Sequence, residues 1–273
     1  MSFFEGTIYS KTLHMDTQLG VILPQDSRPH LDGILKNRLK PRKIPKTLIL
    51  LHGLTDSASV WWRRTSIERY AEEYDIAVIM PEVYKSFYEN MKYGENYFTY
   101  ISEEVPELCS ELFHISVKPD DLMIAGLSMG GYGALKCALT YPGRYYACGA
   151  FSSGCDVKMF QKMESDVTIT GPAKGFYKTC QAIWGENVDI PDHDDAYCLA
   201  SGLGESAKNL RIYQTCGRQD SLYEANQRLR TILEKAGLKE YYYEDWDGDH
   251  EWGYWDVAIQ KFLKTFCRPE EES

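Results

Sequence analysis

The chain has 273 residues, 44 % of them hydrophobic and 13 % aromatic. That is enough apolar surface for a large core, in one big α/β domain or two smaller ones, and it excludes a disordered, collagen-like or coiled-coil chain. Its 30 Lys and Arg against 40 Asp and Glu leave a formal charge of −10, which repels phosphate backbones and anionic lipid, so neither nucleic acid nor membrane is expected as a partner.

The same charge favours a neutral or cationic substrate over a polyanion. The first ten residues show no basic segment followed by an apolar one, and no later stretch approaches the roughly 20 apolar residues that span a bilayer. Eight cysteines (Cys109, Cys137, Cys148, Cys155, Cys180, Cys198, Cys216 and Cys267) are scattered without a C-x-x-C pair. In a chain too large to need disulfide staples they read as small hydrophobes of a reduced core, and the expected location is cytoplasmic.

Residues 5–13 and 19–24 read as two strands joined by a polar turn. Residues 25–46 form a loop whose last eleven positions hold six basic residues, the pattern of a solvated surface segment. At 47–52 the run Thr-Leu-Ile-Leu-Leu-His is continuously apolar until its His, as expected of a strand buried on both faces of a parallel sheet. Similar runs recur at 76–80, 122–126, 147–151 and 210–215, with a further strand pattern at 241–244. Helical spacing fills 60–74, 97–113, 129–141, 222–236 and 252–266, and Pro106 should kink or restart the second of these. The alternation predicts an α/β fold of one domain spanning residues 1–273, with a mostly parallel central sheet covered by helices on both faces. Residues 152–209 interrupt it with short helices only, near 177–184 and 194–203, and read as a small helical cap inserted after a strand's carboxyl end.

The most specific motif is Gly126-Leu127-Ser128-Met129-Gly130-Gly131, a G-x-S-x-G between a strand and a helix. Glycines flank Ser128 because the turn is too tight for side chains there. The serine hydroxyl is then held exposed, with the helix N-terminus beside it to face a developing negative charge. A serine is too weak an acid to attack an ester unaided, so a carboxylate and a histidine should follow it in the chain. Only His193 and His250 lie beyond Ser128. His250 occupies the loop between the last strand and the last helix, as a catalytic base requires. His193, among three aspartates, lies in the insertion and lacks the softer ligands and spaced histidines of common metal sites, so no metal is expected.

Asp220 lies at the end of the 210–215 strand segment, 30 residues before His250, placed to accept the imidazole Nδ1 proton. It also has the position of a helix cap, a task that Ser221 could perform instead. Asp245, Asp247 and Asp249 are too close in sequence to His250 to reach its far ring nitrogen easily. In hydrolases of this architecture the loop after the first central strand, here His52-Gly53-Leu54-Thr55-Asp56-Ser57, supplies one oxyanion donor and the residue after the nucleophile the other. That assigns the backbone N–H groups of Leu54 and Met129. His52 precedes the serine and is expected to shape the loop, with Asp56, Ser57 and Ser59 as caps of the following helix.

Taken in order, Leu51-His52-Gly53-Leu54, Trp61-Trp62, Tyr93-Gly94, the Ser128 motif, Gly217-Arg218-Gln219-Asp220 and His250-Glu251-Trp252 resemble the esterase D-like branch of the α/β-hydrolases, from about Tyr9 to the last helix. That branch includes tributyrin, acetyl and feruloyl esterases and S-formylglutathione hydrolases. The resemblance implies a cytosolic serine carboxylesterase, often oligomeric, acting on small-molecule esters of short acyl groups, acetyl to butyryl, without a cofactor. S-formylglutathione hydrolases carry Ser-Gly-Leu-Thr-Cys where Leu51–Asp56 stands here, so the oxygen-ester members are the nearer match and the glutathione thioesterase is the alternative. Trp61, Trp62, Tyr93, Tyr97, Phe176 and Trp184 are candidates for the acyl or alcohol pocket, although each taken singly is more simply explained by core packing. A serine peptidase, a lipase and a non-catalytic binding protein of this fold are the remaining alternatives. No extra domain, no export signal and no gap in the triad favours any of them.

Overall fold

The computed structural model describes residues 1–25, 44–165 and 171–267. Most of the basic run 36–46 lies outside them. Among the described residues eight strands form one sheet: β1 (Ser2–Ser10), β2 (Met15–Leu23), β3 (Lys46–Leu51), β4 (Ile76–Pro81), β5 (Leu122–Leu127), β6 (Ala147–Phe151), β7 (Arg211–Thr215) and β8 (Glu240–Glu244). Their order is β1-β2-β4-β3-β5-β6-β7-β8. β1 pairs antiparallel with β2, and β2 with β4; all other neighbours are parallel.

The continuous apolar runs follow from burial on both sides. In β3, Leu48 and Leu50 enter a core shared with α1 (Val60–Arg64), α2 (Ile67–Glu73) and α9 (Trp252–Phe266). Ile49 and Leu51 point to the other face, where α4 (Val105–Phe113), α5 (Met129–Thr140) and α8 (Tyr223–Leu233) pack. β5 divides in the same way, with Met123, Ala125 and Leu127 on one side and Leu122 and Ile124 on the other. Successive strand side chains alternate faces, so only a strand covered twice tolerates such a run.

Several boundaries differ from the sequence pattern for identifiable reasons. The first hairpin turns at residues 11–14, with His14 at φ 51°, three residues earlier than expected. Its turn is held by Glu104, whose carboxylate accepts from Ser10 Oγ at 2.6 Å and from the N–H groups of Lys11 and Thr12 at 2.6 and 3.0 Å. Burial pushes Glu104 up, but these donors outweigh it and hold the carboxyl below its usual range. The expected helix at 60–74 breaks into α1 and α2, because Thr65 turns extended and its hydroxyl donates to Trp61 O and accepts from Ile67 N–H. Pro106 restarts the next helix: α3 (Tyr97–Thr99) passes through a π-helical turn, Tyr100–Glu104, before α4. A proline at the head of α4 has no N–H to give, so the ladder before it widens.

Between β6 and β7 the described residues contain a 3₁₀ segment (Val157–Ser165), α6 (Gly171–Trp184), a 3₁₀ turn (Asp192–Asp194), α7 (Ala196–Ser201) and a last 3₁₀ turn (Gly204–Asn209), with no strand. Among the described residues no helix is long and apolar enough to cross a membrane.

Candidate active site

The site is built at the carboxyl ends of the parallel strands. β5 delivers the chain into Ser128, which has φ 53° and ψ −118°, before α5 begins at Met129. A left-handed backbone at a residue with a Cβ costs about 1–3 kcal/mol, which the surroundings must supply. Here Ser128 N–H donates to Phe151 O at 2.9 Å, and Ser128 O accepts from Tyr132 N–H and Gly154 N–H at 3.1 and 3.0 Å. The flanking glycines are obligatory: a Cβ on Gly126 would lie 2.5 Å from the Gly130 carbonyl, and one on Gly130 would lie 2.5 Å from Leu51 O. The Ser128 turn is thus clamped against β3, the strand that leads into the His52 loop.

His250 reaches this turn from the loop between β8 and α9. Its Nε2 lies 3.0 Å from Ser128 Oγ and its Nδ1 2.8 Å from Asp220 Oδ2. Asp220 follows β7; its side chain is fully buried, whereas that of His250 is about one-third exposed. Burial pushes the Asp220 carboxyl up, but hydrogen bonds from His250 and from Leu222 N–H overcome it and hold the group below its ordinary value. The Leu222 bond, at 2.8 Å to Oδ1, closes the turn ahead of α8, whose cap position is Leu222 itself and carries no side-chain bond, so the cap expected of Ser221 is not formed. Asp220 makes the Leu222 bond with one oxygen while the other meets the imidazole.

The two loops carrying Asp220 and His250 lock together. A Cβ on Gly217 would stand 2.3 Å from Gly248 O, and Gln219 bonds Gly248 through both backbone and side chain. The three rival aspartates are engaged elsewhere. Asp245 binds Arg218 and Tyr223, Asp247 binds Arg218, and Asp249 accepts the N–H of His250 itself. Behind His250 stands a residue that the sequence did not single out: Trp255 packs edge-on to the imidazole with centroids 4.8 Å apart, and Trp252 and Trp61 continue the run of edge-to-face contacts. Trp252 and Trp255 fall one helical turn apart just after His250, which is the signal that could have marked them.

His52 is buried and shapes its loop. Its Nδ1 meets Gly53 O at 2.8 Å, its Nε2 accepts from Val83 N–H at 3.1 Å, and its own carbonyl accepts from Tyr88 OH. Glu82, 3.2 Å from the same Nε2, accepts from the N–H groups of Ala58 and Tyr84, joining the loops after β3 and β4. Burial raises the Glu82 carboxyl, and these partners more than reverse that. The expected caps of α1 are corrected: Ser59 occupies the cap position without a side-chain bond to the helix N–H groups, its hydroxyl bonds that of Ser57, and Asp56 accepts from Gly53 N–H. Leu54 follows that turn. Met129 opens α5, where its N–H has no carbonyl four residues back to bond.

A cavity of about 650 Å³ opens beside Leu54, walled by residues 54–56, residues 84–86, Met91, Tyr97 and the Lys178, Thr179 and Ala182 face of α6. Of the six aromatic pocket candidates only Tyr97 lines it. Trp61 is fully buried in the opposite core layer and donates to Leu51 O. Trp62 covers Gly20 and Phe3 at the far edge of the sheet, and Tyr93 is exposed, tied by its N–H to Ala182 O. Phe176 and Trp184 join Phe87 and Phe160 in an aromatic cluster. Proximity in sequence to a motif does not fix the face to which a helical side chain turns.

The segment between β6 and β7 is fastened to α5 by a buried polar network. Lys136 of α5 contacts Glu89 and, at 2.6 Å, Asp194 Oδ1; Tyr132 OH donates to Glu89, and Trp184 Nε1–H donates to Asp194 Oδ2 at 2.9 Å. Burial pushes Glu89 up to about 8 against the opposing pull of Lys136. His193 is largely exposed in its 3₁₀ turn, 3.6 Å from Asp194. Among the described residues no group of three or more His, Cys, Asp or Glu side chains is placed to hold a metal ion.

Residues 10–266 match the model of the family described as "Putative esterase". The acetyl esterase of Caldicellulosiruptor saccharolyticus is 30 % identical over 262 residues, covering 95 % of this chain and 96 % of that protein. An S-formylglutathione hydrolase of Mus musculus is 31 % identical over 132 residues, 40 % of this chain and 46 % of that one. Among solved structures, substrate-bound FphF, a fluorophosphonate-binding serine hydrolase of Staphylococcus aureus, is 34 % identical with a TM-score of 0.82 over 98 % of this chain and 99 % of that one. The apoenzyme of the S-formylglutathione hydrolase FrmB from the same organism is 33 % identical with a TM-score of 0.79 over the same shares. The eight-stranded, mostly parallel sheet is therefore an α/β-hydrolase fold, and the chain belongs to this esterase family of carboxylic ester hydrolases.

Proposed function

We propose that this ester hydrolase is a serine carboxylesterase for short acyl groups, acetyl to butyryl, with Ser128 as nucleophile, His250 as base and Asp220 as the orienting acid. The observation that carries the proposal is the unbroken relay from Asp220 Oδ2 through His250 to Ser128 Oγ, at 2.8 and 3.0 Å. An ionised Asp220 accepts the Nδ1 proton and leaves the Nε2 lone pair facing the serine. His250 takes the Ser128 proton as the oxygen attacks the ester carbonyl, and the N–H groups of Leu54 and Met129 receive the oxyanion. The imidazolium then gives its proton to the departing alcohol, leaving an acyl group on Ser128. Water, deprotonated by the same imidazole, attacks that acyl group and releases the acid and the free serine. Small-molecule esters are the substrates, and the eight unpaired cysteines, seven of them buried, support a reducing, cytosolic setting.

The test is a rate series on p-nitrophenyl esters of increasing acyl length. A maximum at acetate to butyrate, lost by roughly 10⁴-fold or more in Ser128→Ala, is expected from removal of a triad nucleophile. Retention of substantial activity in the variant would overturn the assignment. A second reading, a thioesterase acting on S-acyl glutathione, is supported by the likeness to FrmB over 98 % of the chain. Turnover of the thioester with none of the oxygen esters would select it. Sugar acetates and feruloyl esters are the natural oxygen esters to try first.

A further inference from the structure

The cavity beside Leu54 has a local charge opposite to that of the chain as a whole. Lys85, from the loop after β4, and Lys178, on α6, both line it. Among the described residues neither ammonium has an ion-pair or hydrogen-bond partner. Lys136, Lys158, Lys208 and Lys261, by contrast, all sit on carboxylates. Asp56 is the acidic residue of the lining, and its Oδ2 is turned onto Gly53 N–H in its own loop. At about 650 Å³ the space falls in the range that holds whole drug-sized ligands and far exceeds the needs of an acetyl group. Leu54, Met91, Tyr97 and Ala182 supply most of its apolar wall, and Thr55, Ser86 and Thr179 add hydroxyl groups.

We propose that this cavity binds a carboxylate-bearing portion of the ester, and that Lys85 and Lys178 are the specificity-determining residues that meet that carboxylate. The inference rests on the reading of Leu54 as an oxyanion donor, which places the cavity next to the reacting carbonyl. The net charge of −10 does not oppose it, because charges beyond a Debye length of about 8 Å are largely screened while two nearby ammonium groups are not. The backbone supports a built wall: Tyr84, Phe87 and Tyr88 all hold positive φ, between 52° and 58°, and Glu82 pins Tyr84 N–H at 2.8 Å. That conformation carries Lys85 to the cavity.

The experiment compares kcat/KM for two matched ester pairs. In one pair the charge lies on the acyl half, mono-p-nitrophenyl adipate against p-nitrophenyl hexanoate. In the other it lies on the leaving half, 4-acetoxybenzoate against its methyl ester. Each is measured with wild type, Lys85→Met, Lys178→Met and the double variant, all exposed substitutions that keep the stem of the side chain and remove its charge. Intrinsic reactivity cancels when each pair's acidic-to-neutral ratio is compared between wild type and variant. The ratio for at least one pair should fall about tenfold in the double variant and fall in wild type as salt is raised, with the neutral esters unchanged within twofold. The pair that responds identifies the half of the ester that enters the cavity. Ratios unchanged within twofold for both pairs would overturn the proposal while leaving the esterase reading intact. A wild type inactive on all four esters would overturn the esterase reading itself.

Discussion

Replacing Lys136 with Met should destabilise the protein strongly, because Lys136 is the cation that neutralises a site closed to water. Lys136, Glu89 and Asp194 are 3 %, 2 % and 6 % exposed. With Glu89 pushed up to about 8 by burial, the neutral-pH ion pair is chiefly Lys136 with Asp194, at 2.6 Å. Methionine matches the length of the lysine stem but leaves the Asp194 carboxylate with Trp184 Nε1–H as its side-chain donor. Removing one partner of a buried pair costs about 3–5 kcal/mol. At about 2–3 °C per kcal/mol for a chain of this size, the melting temperature should fall by about 6–15 °C. Thermal and urea unfolding would measure the loss. The double variant Lys136→Met/Asp194→Asn should recover a large part of it, since it removes the stranded charge together with its partner. A single-variant loss below about 1 kcal/mol, or no recovery in the double variant, would refute the account of the network as a mutually neutralising buried cluster.

Asp220→Asn should preserve the fold and lower kcat by about 10⁴-fold, because an amide cannot stabilise the imidazolium or fix the same tautomer; a loss under tenfold in steady-state kinetics would contradict its role. Gly130→Ala should cost stability and activity together, since its Cβ would meet Leu51 O at 2.5 Å and His52 O at 2.7 Å. Unfolding should show a loss of about 1–3 kcal/mol or more, and an alanine variant with wild-type stability and turnover would show that the turn has room to spare. Glu89→Gln should flatten the pH dependence of stability. The unfolded Glu89 releases its proton near 4.5 and the folded one near 8, so the folded state holds the extra proton between those values. Stability from this group therefore declines as pH rises through that window. A wild-type decline that survives unchanged in Glu89→Gln, followed by melting temperature from pH 5 to 8, would exclude Glu89 as its source.

What the sequence made legible was chemistry whose constraint is local. G-x-S-x-G between a strand and a helix specifies a tight turn by its glycines, and the chain order of Ser128, Asp220 and His250 left few candidates for contacts that the fold closes over 122 and 30 residues. Continuous apolar runs marked the twice-covered strands. What stayed hidden depends on long-range placement. The hairpin register follows from Glu104, more than 90 residues away, and the Lys136 network joins three segments that no periodicity connects. Trp61 and Trp62 are adjacent in sequence, yet one fills the core behind His250 and the other covers the distal edge strands. A helix turns neighbouring side chains by about 100°, so nearness to a motif cannot say which of them faces the substrate. Lys85 and Lys178 were equally silent, since two surface lysines gain meaning only when the fold brings them to one cavity.

Active-site labelling examines the proposed nucleophile, Ser128, at its own oxygen and independently of any chosen ester. Wild-type protein treated with a fluorophosphonate should gain one phosphonyl adduct by intact mass, with ester hydrolysis lost in step, and peptide mapping should place the adduct on Ser128. Ser128→Ala should gain none, and Asp220→Asn should label slowly. Stoichiometric labelling of another residue, or labelling that persists in Ser128→Ala, would exclude Ser128 as the nucleophile.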